Sequence, residues 1–218
     1  VSGNGKGNGN GSRTRSRQAA EAPAPRSADR ILRAAADLAK TRGVAGTTIA
    51  AVCQHSGLPV SSVYWHFEDK DGLFAEVIRQ GFAEWLVTVP RWDAEEGTAL
   101  GEGVRNVLGA SYRTLGEVPD FMRVGMQVLL EKGDTYVKTR RAFLDARLQV
   151  QRMISTWARR VDPSTSADRA DDVATLVVAF SDGSAVGSQV YSDWDAEEFV
   201  DLMSAVLTCL PPEATATD

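Results

Sequence analysis

Val44–Phe67 reads VAGTTIAAVCQHSGLPVSSVYWHF. Two short segments with helical apolar spacing meet at Ser56-Gly57-Leu58-Pro59. The first follows Thr47-Thr48, turns Ile49, Val52 and Cys53 inward, and ends at Gly57, a residue suited to the left-handed turn that closes a helix. The second runs from about Val60 to Phe67. Two short helices joined by a glycine-containing turn have the spacing of a helix-turn-helix, whose second helix enters a major groove. On the wheel of that second helix, Val63 and Phe67 stand at i and i+4 and face the core. Ser61, Ser62, Trp65 and His66 then point outward, with Tyr64 on a flank. Hydroxyls and an imidazole can hydrogen-bond phosphate oxygens and base edges, and an exposed ring packs well on a sugar–phosphate backbone. The competing reading covers this face with another helix, and the tight boundaries on either side of the segment weigh against it.

The pattern continues outward from this segment. Ile31, Ala35, Leu38 and Ala39 share one helical face, with Ser27 a fair N-cap and Gly43 the stop. A fourth helix starts near Asp69 and runs through Leu73, Phe74, Val77 and Ile78 toward Val89. Lys70 sits in its first turn, where the helix dipole favours acids. Glu68, Asp69 and Asp71 follow that rule and Lys70 breaks it, which points to a phosphate contact or to a surface ion pair.

Farther on, Leu100, Val104, Val107, Leu108, Ser111 and Leu115 share a face. Phe121–Leu130 is apolar almost all round, which predicts a buried helix. In Thr135–Val161, Tyr136, Phe143, Val150 and Trp157 recur every seven residues. Ala170–Tyr191 carries a stripe of Val173, Leu176, Val177, Phe180, Ser184 and Gly187. The last helix opens at Asp195 and Glu198 in capping-box spacing and is expected to bury Phe199, Leu202, Met203, Val206 and Leu210. Prolines at 59, 90, 119 and 163 punctuate these segments. No alternating strand pattern of useful length occurs, so the expected fold is all-α, with about nine helices.

Composition narrows the function. The chain has 218 residues, 43% hydrophobic and 24% charged, with a net charge of −5. Residues 1–26 carry five bases against Glu21 alone, residues 27–80 six bases and six acids, and residues 81–218 thirteen bases and twenty-two acids. The acidic part would steer a polyanion toward the other end. The stretch 1–26 is glycine-rich without apolar periodicity, and is expected to be a disordered basic tail, either a solubilising segment or an arm for DNA. Two cysteines and two histidines leave neither a disulfide framework nor a metal cluster. No apolar run suggests a membrane segment and no signal-peptide core is visible, so a cytoplasmic, nucleoid-associated protein is expected. An enzyme finds no support. There is no G-x-S-x-G elbow, since Gly183-Ser184-Ala185-Val186-Gly187 has its serine out of place, and no glycine-rich loop follows a strand. No catalytic residue and no cofactor is expected.

Ser27–Gln80 resembles the DNA-binding domain of the tetracycline-repressor (TetR) family of bacterial regulators. The matching residues are the helix Ile31–Arg42 with Gly43, then Thr47-Thr48-Ile49 and Gly57-Leu58. The most specific string is Ser62-Val63-Tyr64-Trp65-His66-Phe67 followed by Asp69-Lys70-Asp71-Gly72-Leu73. The resemblance implies phosphate contacts by Thr48, Tyr64, His66 and Lys70, and recognition-helix contacts by Ser61, Ser62 and Trp65. Val60 and Ala50 stand where many members carry polar base readers. Specificity would then lean on the two serines, thymine-methyl contacts from Val60, DNA shape, or the basic tail.

The resemblance also implies three parts: the tail 1–26, a three-helix DNA-binding domain 27–80, and a helical effector-binding and dimerisation domain 81–218. Trp85, Leu108, Tyr112, Phe121, Met122, Met126, Phe143 and Trp157 are the candidate lining of an effector pocket, with plain core packing the alternative for each. An apolar or aromatic effector is expected. Ala179, Gly183 and Gly187, at four-residue spacing, would let a second helix approach closely. With Phe180, Tyr191, Phe199, Met203 and Val206 they make a candidate homodimer interface. The partners expected are thus a double-stranded operator, a small-molecule effector and a second copy, with no membrane. The function expected is a repressor released from a palindromic operator by its effector. The alternative is a ligand-independent regulator, or an interaction adaptor on the same fold.

Overall fold

The computed structural model describes residues 26–89, 97–115, 118–131 and 133–209, without the side chains of 112–115. Among them are nine helices: α1 (Ser27–Gly46), α2 (Ile49–Ser56), α3 (Val60–His66), α4 (Lys70–Thr88), α5 (Leu100–Leu115), α6 (Asp120–Leu130), α7 (Val137–Val161), α8 (Ala167–Val190) and α9 (Ala196–Thr208). The all-α reading holds across the described residues. The expected tail, except Arg26, lies outside them, as does Leu210.

The first four helices close on one apolar centre, with Ile31, Ala35 and Leu38 from α1, Val52 from α2, Val63 from α3 and Leu73, Phe74 and Ile78 from α4. Gly57 caps α2 at φ 66° and ψ 25°, the left-handed turn for which glycine is suited. The Arg30 guanidinium donates to the Ser56 carbonyl at 2.6 Å and so closes the same helix end. Gly43 breaks α1 at φ 70° and ψ 168°, a region essentially reserved for glycine. The break frees the Val44 amide, and Gln127 of α6 accepts from it at 2.9 Å. Ser27 is not the cap of α1; Arg26 holds that position, and the Ser27 hydroxyl is bonded to His66 instead.

The remaining helices form the body. One core joins α1–α4 to α6 and the first half of α7; a second joins α5, the rest of α7, α8 and α9. At 25 residues and about 1.5 Å per residue, α7 is roughly 38 Å long and runs through both. Its seven-residue repeat does face inward, with Tyr136, Phe143 and Trp157 buried. The boundary expected between Gln80 and Gly81 falls in the middle of α4. That helix continues unbroken to Thr88 and buries Phe82 in the same core as the first four helices.

Two faces differ from expectation. In α6, Leu130 is 84% exposed, so only one side of that helix is buried. In α9, Leu202 and Val206 face outward, and the buried stripe is Val200, Met203 and Leu207. The packing of α9 on α5 selects this stripe, with the Ser204 hydroxyl donating to the Gly101 carbonyl at 2.9 Å.

Candidate DNA-binding surface and ligand cavity

The outer face of α3 is bare. Trp65 is 85% exposed, Tyr64 56% and Val60 52%, and Ser61 and His66 are exposed while Ser62 is half-buried. A seven-residue helix anchored by Val63 alone among its own residues needs its ends held. Phe67, buried, anchors the exit. His66 Nε2 and Ser27 Oγ share a hydrogen bond at 2.7 Å, tying the end of α3 to the start of α1. Thr48 is the N-cap of α2, its hydroxyl accepting from the Ala51 amide at 3.1 Å. Its exposed side chain leaves the α2 N-terminus turned to the same solvent. Lys70 is already engaged: its ammonium donates to the Ala45 carbonyl at 3.1 Å and lies 5.4 Å from the Tyr136 ring centre. No ion pair involves it among the described residues, and the bond to Ala45 uses one of its three N–H donors. It caps the end of α1, which explains a cation in the first turn of α4.

Behind α3, the α3–α4 turn is stitched to α7. The Asp71 carboxylate accepts from the Lys138 and Thr139 amides, both at 2.8 Å, and from the Thr139 hydroxyl at 2.6 Å. Asp71 therefore serves as an N-cap for α7 from a distance of 67 residues in sequence. The Lys138 ammonium donates to Glu68 at 2.7 Å and to Asp69 at 2.9 Å. The Lys138 hydrogen bond and the Gly72 amide hold the Asp69 carboxyl below its ordinary range, and the two carboxylates hold the Lys138 ammonium above its own. Asp69 contributes stability that is present above its unfolded pKa of about 3.9 and is lost as pH falls through the lower folded value. Lys138 contributes below about pH 10.4 and loses its share as pH rises through the higher folded value. The junction is therefore expected to stay closed from about pH 5 to pH 9. Amide NMR of Lys138 and Thr139 checks this; a titration inside that window contradicts it.

A cavity of about 630 Å³ opens among α4, α6, α7 and α8 and the α8–α9 turn, within the range that holds a small organic ligand. Trp85, Leu108, Phe121, Met122 and Phe143 of the expected lining do border it. Met126 and Trp157 do not. Met126 packs on the core shared with α1–α4. Trp157 is buried against Gly103 of α5, where a Cβ would overlap its ring. The side chain of Tyr112 lies outside the described residues. The Trp85 and Phe121 rings of the wall stand 5.6 Å apart between centres, and Phe82 packs against both from the core at 5.5–5.7 Å.

The wall also carries polar groups that periodicity alone did not reveal. Arg147 of α7 and Asp182 of α8 form an ion pair at 2.6 Å, each about a quarter exposed. Among the described residues, Trp85 Nε1, Arg123 Nε, Ser184 Oγ and Trp194 Nε1 are buried without a hydrogen-bond partner, and all four side chains line the cavity. An orphaned buried donor costs about 1–3 kcal/mol. Four around one cavity are a marked departure from ordinary packing.

Opposite the cavity, Ala179, Gly183, Val186 and Val190 form an exposed stripe along α8, beside Leu202 and Val206 of α9. Gly183 has open space where a Cβ would stand. Gly187 and Met203 of the expected interface lie inside the chain, Gly187 beneath the Trp194 ring. Phe180 and Phe199 stack on each other at 3.8 Å. Tyr191 is 59% exposed and borders the cavity mouth.

Residues 31–77 match the family described as bacterial regulatory proteins, tetR family. A search of curated protein sequences finds no match. Among solved structures, a transcriptional regulator from Rhodococcus sp. Rha1 is similar at a TM-score of 0.64 and 18% identity, over 85% of this chain and 100% of that one. FadR from Bacillus subtilis, a transcriptional regulator solved in complex with stearoyl-CoA, is similar at 0.62 and 10% identity, over 83% and 97%. A transcriptional regulator of the TerR/AcrR family from Aquifex aeolicus VF5 is similar at 0.57 and 14%, over 84% and 98%. These likenesses are of fold.

Proposed function

We propose that this chain, a DNA-binding transcriptional regulator of the tetR family by its N-terminal domain, acts as a homodimeric repressor that a small molecule releases from a pseudo-palindromic operator. The observation that carries the reading is the bare face of α3, with Trp65 and Tyr64 in solvent beside Ser61. A soluble fold gains nothing from an exposed indole there, and a duplex backbone supplies the missing surface. Thr48, Tyr64 and His66 are assigned to phosphates; Val60, Ser61, Ser62 and Trp65 are assigned to the groove. Lys70 supports the surface from behind, through the end of α1. The exposed stripe on α8 and α9 is assigned to the second copy. A two-fold axis there would present two α3 helices to half-sites about one helical turn apart or slightly more.

The cavity and the α3 face share moving parts. Trp85 and Val89 reach the cavity from α4, which begins directly after α3. Phe143 and Arg147 reach it from α7, whose N-terminus is held by Asp71. Phe121 and Arg123 reach it from α6, which grips α1 through Lys40–Asp120 at 3.1 Å and Gln127–Val44 at 2.9 Å. A ligand that favours one spacing of α4, α6 and α7 thereby favours one orientation of α3. The effector reading has an analogue in the Bacillus FadR complex with stearoyl-CoA.

Asp71→Ala removes the cap on α7 and leaves the Thr139 hydroxyl, fully buried, without its carboxylate acceptor. A loss of about 2 kcal/mol in unfolding free energy is expected, combining a lost cap with a weakened buried hydrogen bond. Hydrogen exchange at the Lys138 and Thr139 amides should accelerate, and denaturant titration should show the loss. Unaltered exchange would remove the junction from the coupling path. The functional reading itself is tested by a gel-shift with DNA flanking the chain's own gene. A discrete complex that weakens steeply with salt is expected; a smear insensitive to competitor would count against a specific operator.

A further inference from the structure

We infer that the cavity takes an organic anion: an apolar or aromatic body carrying one acidic group, with acceptor oxygens beyond it. This deepens the effector reading and rests on it for the link to DNA, though not for the binding itself. The apolar part follows from the Trp85, Phe121 and Phe143 rings. The charge follows from a count of the wall. Among the described residues its charged side chains are Arg123, Arg147 and Asp182. Arg147 and Asp182 neutralise each other at 2.6 Å. Arg123 has no carboxylate partner among the described residues, and its Nε is buried without an acceptor. The described wall is left with one uncompensated positive charge in a site of low dielectric, where a paired anion is strongly favoured over a neutral or cationic guest.

The acceptor oxygens follow from the other orphans. Two indole N–H groups, on Trp85 and Trp194, can only donate. The Ser184 hydroxyl can also donate, and it comes from the opposite wall, on α8. Four donors without acceptors, drawn from α4, α6, α8 and the α8–α9 turn, match a guest rich in oxygen acceptors. The expectation of an apolar or aromatic effector is thereby extended: the rings suit it, and the orphaned donors and the Arg123 charge call for an acidic group and acceptor oxygens as well.

The test uses two probes that share an apolar body. 8-Anilinonaphthalene-1-sulfonate carries an acidic group, and N-phenyl-1-naphthylamine does not. Fluorescence titration of the full chain should give one saturable sulfonate site per chain, with the neutral probe at least tenfold weaker. Arg123→Gln should weaken the sulfonate at least tenfold and leave the neutral probe within twofold; Arg123→Lys should recover part of the loss. Thermal melting of each variant shows that the fold is retained. Equal binding of both probes, or sulfonate binding indifferent to Arg123→Gln in a folded variant, overturns the proposal. So does the absence of saturable sulfonate binding. A parallel gel-shift with the sulfonate separates the two readings. Binding through Arg123 without release of DNA leaves the ligand class standing and removes the effector role.

Discussion

Tyr64→Ala/Trp65→Ala should abolish specific DNA binding while leaving the folded dimer unchanged. Both side chains stand in solvent, and neither belongs to the buried core. Surface truncations of this kind usually change stability by no more than about 0.5 kcal/mol. On DNA the outcome is different. A lost contact of either kind, Tyr64 on a phosphate or Trp65 in the groove, costs about 1–3 kcal/mol, and a two-fold dimer loses each contact twice. Four losses at the lower end amount to about 4 kcal/mol, close to a thousandfold in affinity. Fluorescence anisotropy on a labelled operator measures this directly, with melting temperature and sedimentation as controls. Retention of affinity within tenfold would mean that α3 does not face the duplex.

Gly183→Leu should split the dimer and take operator binding with it. The position is diagnostic because no described residue lies within 4 Å of an added Cβ. Within one chain the change relieves a helix-interior glycine, worth about 0.8–1.0 kcal/mol in favour of the folded state. Any harm therefore comes from a second copy. Leucine introduced where two helices touch costs about 1–3 kcal/mol, and the two-fold axis applies it from both sides. A single head keeps roughly half of the free energy of a ~10⁻⁹ M complex, which is about 6 kcal/mol and falls in the nonspecific range. Sedimentation of the variant is expected to show monomers, with no discrete shift of operator DNA. A dimer of unchanged strength would move the interface away from α8.

The helix-turn-helix was legible because its signals are local. Gly57, Pro59 and the Val63–Phe67 pair lie within eleven residues, and each acts through its own backbone or its own turn. The outward turn of Trp65 followed from the wheel alone. The cavity was half legible. Phe121, Met122 and Phe143 lie on apolar faces that face inward, but Arg123 sits next to Met122 and its lack of a partner depends on what α4 and α8 bring near it. Trp157 carries the same heptad signal as Phe143 and packs on Gly103 instead. Periodicity reports which face is buried, not whether another side chain or a void lies against it.

The junction was not legible at all. Asp71 reads as an ordinary acid in a first turn, and its three donors lie 67 and 68 residues away. The exposed face of α9 was only partly legible. Met203 and Leu202 are adjacent in an apolar sequence, and only the packing of α9 on α5 decides which of them is buried.

The most direct measurement is selection of duplexes from a random pool by the full chain, followed by sequencing of those retained at moderate salt. The account predicts enrichment of a pseudo-palindrome with half-sites about one helical turn apart or slightly more, lost when Tyr64→Ala/Trp65→Ala replaces the wild type. Retention of random sequences to the same extent by both proteins would contradict it.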